Sequence, residues 1–320
     1  MLVECVPNFS EGRRVEILEA IAAAAARPGV RVLGLSHDPD HNRGVLTLAG
    51  EADAVAEAVI RSAAVAVDRI DLNTHSGTHP RMGAVDVIPF VPLGSTPMGA
   101  AADLARRVGR RLADDLGLPV YLYGHAAVRS ERRNLAAVRR GQFEGLAARM
   151  ATAGGVPDFG PAVPHPTAGA VAVGARPALI AFNVWLKTDD ASVAEAVARA
   201  VRGSSGGLVG VRALGMDIKS RGMVQVSMNL TDWRRTPVHQ ALEMVRREAA
   251  RWGVMVAGTE FVGYVPLGAL LESARYYLQA HDLDEGTALE LELVGERMSV
   301  WTPGDLEQNI GQEDGGDGHG

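Results

Sequence analysis

Within the twelve residues Asn73 to Ala84 the chain gathers two imidazoles, His75 and His79, one guanidinium, Arg81, and the hydroxyls of Thr74, Ser76 and Thr78. Imidazole ordinarily titrates near neutral pH, so either histidine suits proton transfer. Pro80 restrains its own φ and biases His79 towards extended backbone. Arg81 lies close enough to attract an anionic substrate and to disfavour the imidazolium form. The plain alternative is a turn in which both histidines only satisfy hydrogen bonds and Arg81 braces the loop against Asp86. Composition does not choose between the two histidines.

Three other polar concentrations accompany this one. Ser36 to Gly44 carries His37, Asp38, Asp40 and His41, followed by Asn42 and Arg43. Pro39 breaks any helical pairing of the histidines, and a zinc site lacks a third and fourth ligand of suitable type, so no metal is expected. Arg129 to Arg140 is basic and reads either as a solvated helix or as a carboxylate clamp. Residues 151–169 are rich in glycine and proline yet contain Asp158, Phe159, His165 and Thr167, which argues for fixed turns over a slack linker. No Gly-x-Gly-x-x-Gly fingerprint follows the first strand, and a P-loop and a serine-hydrolase elbow are missing, so hydride transfer and nucleotide hydrolysis are weak candidates.

The elements that must position these residues follow from periodicity. Strands are predicted at Leu2 to Phe9, Val30 to Leu35, Val45 to Ala49, Val85 to Val91 and Pro119 to Gly124. Helices are predicted at Arg13 to Ala26, Ala52 to Val67 and from Pro97 to about Leu116. Past Arg176-Pro177-Ala178 the order repeats: a strand at Leu179 to Leu186, a helix at Ala191 to Val201, strands at Val211 to Asp217 and Met223 to Leu230, a helix at Pro237 to Trp252 and a strand at Val254 to Thr259. The expected fold class is therefore α+β. Two α/β subdomains of β-α-β-β-α-β type, in ferredoxin-like order, would have mixed sheets facing across a substrate cleft. The expected domains are 1–178 and 179–302, with 303–320 as an acidic, disordered and dispensable tail.

Hydrophobic residues make up 47% of the chain and aromatics 5%, so the cores must be built mainly from Val, Leu and Ala. The lone Cys5 excludes an intramolecular disulfide framework and makes the cytoplasm the default location. The net charge of −6 is concentrated at the C-terminal end, where residues 282–320 hold 11 acids and one arginine. The mildly cationic remainder has no nucleic-acid footprint, and the sequence offers no membrane span.

The motif His79-Pro80-Arg81-Met82-Gly83-Ala84-Val85-Asp86-Val87 resembles the signature of the glutamate formimidoyltransferase (formiminotransferase) family. Further matches come in the family's order. They are Val3-Glu4-Cys5-Val6-Pro7-Asn8-Phe9-Ser10-Glu11-Gly12, Pro119-Val120-Tyr121-Leu122-Tyr123-Gly124, Pro157-Asp158-Phe159-Gly160-Pro161, Ile180-Ala181-Phe182-Asn183 and Val224-Gln225-Val226-Ser227-Met228-Asn229-Leu230. The resemblance covers roughly residues 1–299 and is similar to the transferase half of a bifunctional formimidoyltransferase-cyclodeaminase. It lacks an unambiguous counterpart of the family's loop aspartate: Ser36 aligns without a gap, and Asp38 or Asp40 substitutes only if the loop shifts.

This resemblance implies transfer of the formimidoyl group from N-formimidoyl-L-glutamate to N5 of tetrahydrofolate, the co-substrate, with release of L-glutamate. It implies His79 as the general acid/base. Arg43 and Arg81 would pair with substrate carboxylates, and Asn8, Asn42 and Asn183 would supply donors and acceptors around the pterin or the amidine. It also implies a folate-binding loop formed by Gly160, Pro161, Ala162, Val163, Pro164, His165, Pro166, Thr167, Ala168 and Gly169. Phe9 and Phe159 read either as apolar walls of the site or as core. A homodimer acting on small molecules, away from nucleic acid and membrane, is the expected assembly. The competing readings are a folate-binding paralogue, an ATP-dependent 5-formyltetrahydrofolate-converting enzyme, and a noncatalytic dimeric scaffold.

Overall fold

The computed structural model describes residues 1–77, 79–218 and 222–287. The acidic end 303–320 and residues 219–221, between the strands expected at Val211 to Asp217 and Met223 to Leu230, lie outside the described residues. The chain divides into two compact units, Met1–Pro177 and a second that starts at Ala178.

The first unit begins with β1 (Leu2–Cys5), β2 (Asn8–Phe9), α1 (Val15–Ala25), β3 (Val30–Asp38), β4 (Arg43–Glu51) and α2 (Ala52–Arg69). It continues with β5 (Val85–Pro92), α3 (Met98–Leu116), β6 (Val120–Gly124), α4 (Leu135–Val138), α5 (Leu146–Met150) and β7 (Val171–Ala175). The expected first strand is split because Pro7 has no N–H to give the ladder. β1 and β2 nevertheless share one slot, each pairing antiparallel with both β4 and β5. The sheet then runs outward on one side to β3 and on the other through parallel pairings to β7 and β6. These parallel additions make the sheet mixed and seven-stranded.

Both faces of this sheet are covered. Leu18 and Ile21 of α1, Val55 and Val59 of α2, and Leu104 and Val108 of α3 pack with Val3, Leu46, Leu48, Ile88 and Phe90 from the strands. Each such fully buried side chain contributes about 1.5–3 kcal/mol relative to exposure. On the other face Val138, Leu146 and Met150 of α4 and α5 pack with Met82, Val87, Tyr121 and Tyr123. That second cluster matters for function, because it seats the residues after α4 over the end of β5. Phe9 is 1% exposed and belongs to the first core, not to an open wall.

The polar loop predicted over Ser36 to Gly44 is largely strand. His37 and Asp38 pair with Gly44 and Arg43, leaving a turn of four residues, 39–42. Asn42 ends that turn at φ +50°, a left-handed conformation that asparagine tolerates better than most side chains.

The second unit contains β8 (Ile180–Leu186), α6 (Ala191–Val201), β9 (Val211–Ile218), β10 (Met223–Leu230), α7 (Val238–Ala250), β11 (Val256–Val262) and α8 (Leu267–Leu278). Its sheet order is β11-β8-β10-β9, and every pairing is antiparallel. The Asp190 carboxylate caps α6 by accepting from the Ser192 N–H at 2.9 Å. Val193, Val197, Val201, Val238 and Val245 from the helices close over Phe182, Val184, Val226 and Leu230.

Candidate active site

The connection from α2 to β5 carries both candidate histidines, and neighbouring segments hold it in place. Gly83 passes so close to the backbone of Ala170 that a Cβ would sit 2.0 Å from that carbonyl oxygen. At Gly77 a Cβ would meet the His41 carbonyl at 2.4 Å. Only glycine permits these approaches. Asn42 fastens three segments: its Oδ1 accepts from Gly12 N–H at 2.9 Å, its Nδ2 donates to Ser76 O at 3.0 Å, and its own carbonyl accepts from His75 Nε2 at 3.0 Å. The start of α1 is organised by the buried Glu11. Its Oε1 accepts from the N–H groups of Gly12, Arg13 and Arg14, while Oε2 accepts from the Arg14 guanidinium. Burial raises the Glu11 carboxyl, but those hydrogen bonds outweigh it and leave it below the ordinary carboxylate value.

The two histidines differ in what remains available to them. His75 donates from Nε2 to Asn42 O and accepts at Nδ1 from Arg81 Nε at 3.1 Å. A neutral imidazole has one donor and one acceptor, so both are used. Burial is the main cause that lowers its pKa, with Arg81 adding to it against the Asn42 carbonyl. Arg81 is only 8% exposed, and its NH1 and NH2 grip the Glu144 carboxylate at 2.9 and 2.7 Å. The residue expected to bind a substrate carboxylate thus already holds a protein carboxylate and the His75 ring.

His79 touches a different cation. Its Nε2 accepts from Arg43 NH1 at 2.9 Å, which fixes the ring as an acceptor at that nitrogen. Burial, then Arg43, Arg139 and His41, push its pKa down from 6.5 to about 4. His79 is therefore a free base at neutral pH. The His41 ring stands edge-on at 6.3 Å between centroids, and Asp38 Oδ2 holds His41 Nδ1 at 2.7 Å. The backbone N–H and ring of His41 bring the Asp38 carboxyl down to about 2. Asp38 thereby organises the 39–42 turn, and Asp40 donates its N–H to the same carboxylate at 2.9 Å.

Behind Arg43 lies Arg139, from the turn after α4 and from the basic run that reads either as a solvated helix or as a carboxylate clamp. Its guanidinium pairs with Asp86, a carboxylate 2% exposed on β5 that also accepts from Met82 N–H at 2.9 Å. Burial nonetheless leaves the Asp86 carboxyl raised, Arg139 being the strongest opposing influence. Asp86 thus partners Arg139, not Arg81. The sequence signal was faint, because Asp86 and Arg139 are 53 positions apart and the pairing depends on α4 crossing the sheet face.

The remaining candidates are located as follows. Asn8 lies on β2 opposite Val45 and Val87, with Nδ2 donating to Val6 O at 2.9 Å. Asn183 belongs to the second unit, on β8, and donates to Glu260 at 3.2 Å while its buried Oδ1 has no partner among the described residues. The span from Gly160 to Gly169 is fastened to the histidine loop. Leu72 N–H donates to Thr167 O, Asn73 Nδ2 to Pro166 O, and Ala84 N–H to Ala168 O, at 2.8, 3.0 and 3.0 Å. His165 and Gly169 close a backbone pair at 2.9 and 3.0 Å, and His165 Nδ1 accepts from Ala168 N–H at 3.1 Å. Phe159 packs at the edge of the first core beneath the Arg110 guanidinium. Among the described residues no three His, Cys, Asp or Glu side chains converge as a metal would require, and no helix is long and apolar enough to cross a membrane.

A half-buried imidazole kept as a free base, beside a guanidinium to which no carboxylate is bonded among the described residues, is an arrangement able to move a proton on an anionic small molecule. The comparisons with known proteins narrow that class. Residues 2–176 match the formiminotransferase domain, N-terminal subdomain, and residues 181–298 match the formiminotransferase domain. A glutamate formimidoyltransferase of Thermoplasma acidophilum is 46% identical over 292 residues, covering 90% of this chain and 96% of the relative. One from Streptococcus pyogenes serotype M1 is 42% identical over 284 residues, covering 88% and 95%. The formimidoyltransferase-cyclodeaminase of Mus musculus is 41% identical over 288 residues, covering 88% of this chain and 53% of that relative, so the chain spans about half of it. The chain belongs to the formiminotransferase family.

Proposed function

We propose that the protein is an enzyme of one-carbon metabolism that moves the formimidoyl group of N-formimidoyl-L-glutamate to N5 of tetrahydrofolate, releasing L-glutamate. The observation that carries this reading is His79, half-buried as a free base against Arg43 in a chain matched along most of its length by glutamate formimidoyltransferases. Tetrahydrofolate, when bound, supplies the nucleophilic nitrogen. The span 160–169 suits a folate wall because its backbone is tied to the loop that carries His79.

His79 takes a proton at Nε2 from the attacking nitrogen and returns it to the departing glutamate nitrogen. Arg43 anchors a substrate carboxylate, a role arginine fills because it stays charged across the useful pH range. Arg81 acts as a positioning residue through His75 and Glu144, and Asn42 as the fastener of the loops. The family reading also assigns Asn8 and Asn183 as polar contacts to substrate, and within the second unit the Asn183 Oδ1, unpartnered among the described residues, supports its part. The same reading takes both units as ferredoxin-like, supported by the order β11-β8-β10-β9 and, in the first unit, β3-β4-β1-β5. A homodimer and a cytoplasmic location accompany the family reading.

Release of L-glutamate from N-formimidoyl-L-glutamate tests the function. The enzyme reading requires release that depends on tetrahydrofolate and not on ATP. Dependence on ATP would favour the formyl-folate alternative, and absence of release the noncatalytic ones.

A further inference from the structure

Arg43 and Arg139 lie within each other's field, and their mutual repulsion, after burial, lowers the pKa of Arg43. The pair has one buried counter-ion between them, Asp86, whose two oxygens are already taken by Arg139 and Met82 N–H, while the other carboxylate acting on Arg43, Asp38, is exposed and holds the His41 ring. One positive charge is therefore left over in a half-buried setting, where an uncompensated ion is costly. Among the described residues the Arg43 guanidinium makes a single hydrogen bond, to a neutral imidazole. The Nε–H groups of Arg43 and Arg139 are both buried without an acceptor. A buried donor without a partner costs about 1–3 kcal/mol, so this arrangement is incomplete as it stands. One carboxylate supplies the missing charge and up to four acceptor positions.

We propose that Arg139 joins Arg43 in a two-guanidinium subsite for the α-carboxylate of the N-formimidoyl amino acid. This rests on the formimidoyl-transfer reading above and adds both a residue and the choice between the two carboxylates of the substrate. The choice follows from chemistry. In N-formimidoyl-L-glutamate the reacting nitrogen sits on Cα, one carbon from the α-carboxylate and three from the γ-carboxylate. Arg43 is bonded to the His79 ring, so the anion it holds must be close to the nitrogen that His79 serves. Only the α-carboxylate meets that condition. Its charge also offsets the two guanidinium fields on His79 and lets Arg43 turn from the ring to the anion, which frees Nε2. The other groups facing His79 are His41, paired to Asp38, and the carbonyl of Pro80.

The test compares steady-state kinetics of wild type and Arg139→Lys on three substrates: N-formimidoyl-L-glutamate and its α-amide and γ-amide. In wild type the α-amide should lose at least ~10-fold in kcat/KM, the scale of a charge-assisted bond, and more than the γ-amide. Arg139→Lys should raise KM for the parent and the γ-amide by a similar factor, add little to the α-amide penalty, and leave tetrahydrofolate Kd unchanged. In ¹⁵N-histidine NMR spectra, saturating L-glutamate should move the His79 titration upward in wild type and less in Arg139→Lys. If Arg139→Lys misfolds, the double change Asp86→Asn/Arg139→Gln removes both charges of the pair and should raise the same KM. Equal amide penalties in wild type, or an unchanged KM in a folded Arg139 variant, would overturn the subsite. Wild-type inactivity on the parent substrate would instead overturn the function reading.

Discussion

Replacing Asn42 isolates what the loops around His79 depend on. Asn42 is 7% exposed, its amide makes two hydrogen bonds to backbone, and its φ is +50°. Asn42→Gly removes both bonds but accepts the left-handed backbone. Two net losses of about 0.5–1.5 kcal/mol each, plus desolvated groups at Gly12 N–H and Ser76 O, give an expected destabilisation of about 2–4 kcal/mol. Asn42→Ala carries the same losses and adds left-handed strain of roughly 1–2 kcal/mol. Asn42→Asp keeps the acceptor for Gly12 N–H and tolerance of the backbone, so it should rank mildest. Urea midpoints at constant m rank the three variants, and kcat and KM for N-formimidoyl-L-glutamate are read on the folded fraction. Asn42→Ala should lose kcat through the displaced histidine loop while KM moves less. A fully stable Asn42→Ala with a raised KM would refute the fastener role and restore Asn42 as a substrate contact. Equal stability of the Gly and Ala variants would refute the strain argument.

Arg81→Gln should destabilise by about 1–3 kcal/mol, because it unpairs the buried side of the His75 network. Glu144→Gln, at a carboxylate 65% exposed, should cost at most ~1 kcal/mol. A stable Arg81→Gln with KM raised tenfold would instead make Arg81 a carboxylate anchor. Folded His79 takes up its proton near pH 4 against an ordinary 6.5. The unfolded chain therefore holds more protons across that window, and stability should fall as pH drops from about 6.5 towards 4. His79→Asn should flatten that slope in urea midpoints, and an unchanged slope would contradict the buried free base. Amides of residues 160–169 should exchange slowly and slow further with tetrahydrofolate, whereas fast exchange in both states would mark a tether.

The elements were legible where periodicity was strong. The apolar run Val85 to Val91 and the apolar stripes of α2 and α7 set strand and helices within a few residues. Parallel addition of β7 and β6 was not legible, since it depends on how α3 crosses the sheet and not on local pattern. The histidine loop stands out in the sequence by its composition and its resemblance. The partners of its two histidines are set by tertiary contacts, Asn42 and Arg81 for His75 and Arg43 for His79. Local pattern does not choose between the solvated and clamp readings of the run that holds Arg139, and it does not single out Glu144, because their partners lie 53 and 63 positions away. The turn at Asp38 to Asn42 was read as a long loop because its polar composition masked pairing of His37 and Asp38 with Gly44 and Arg43.

The central claim is that His79 moves the proton while His75 holds the loop. The direct measurement is kcat for His79→Ala and His75→Ala from pH 6 to 9, with tetrahydrofolate Kd and unfolding midpoint determined on the same preparations. His79→Ala should lose about 10²–10⁴-fold in kcat with little change in Kd or stability, the usual scale for a general acid/base. His75→Ala should lose stability first and kcat less. A folded His79→Ala enzyme with full activity, or a His75→Ala enzyme that is stable and inactive, would contradict the assignment.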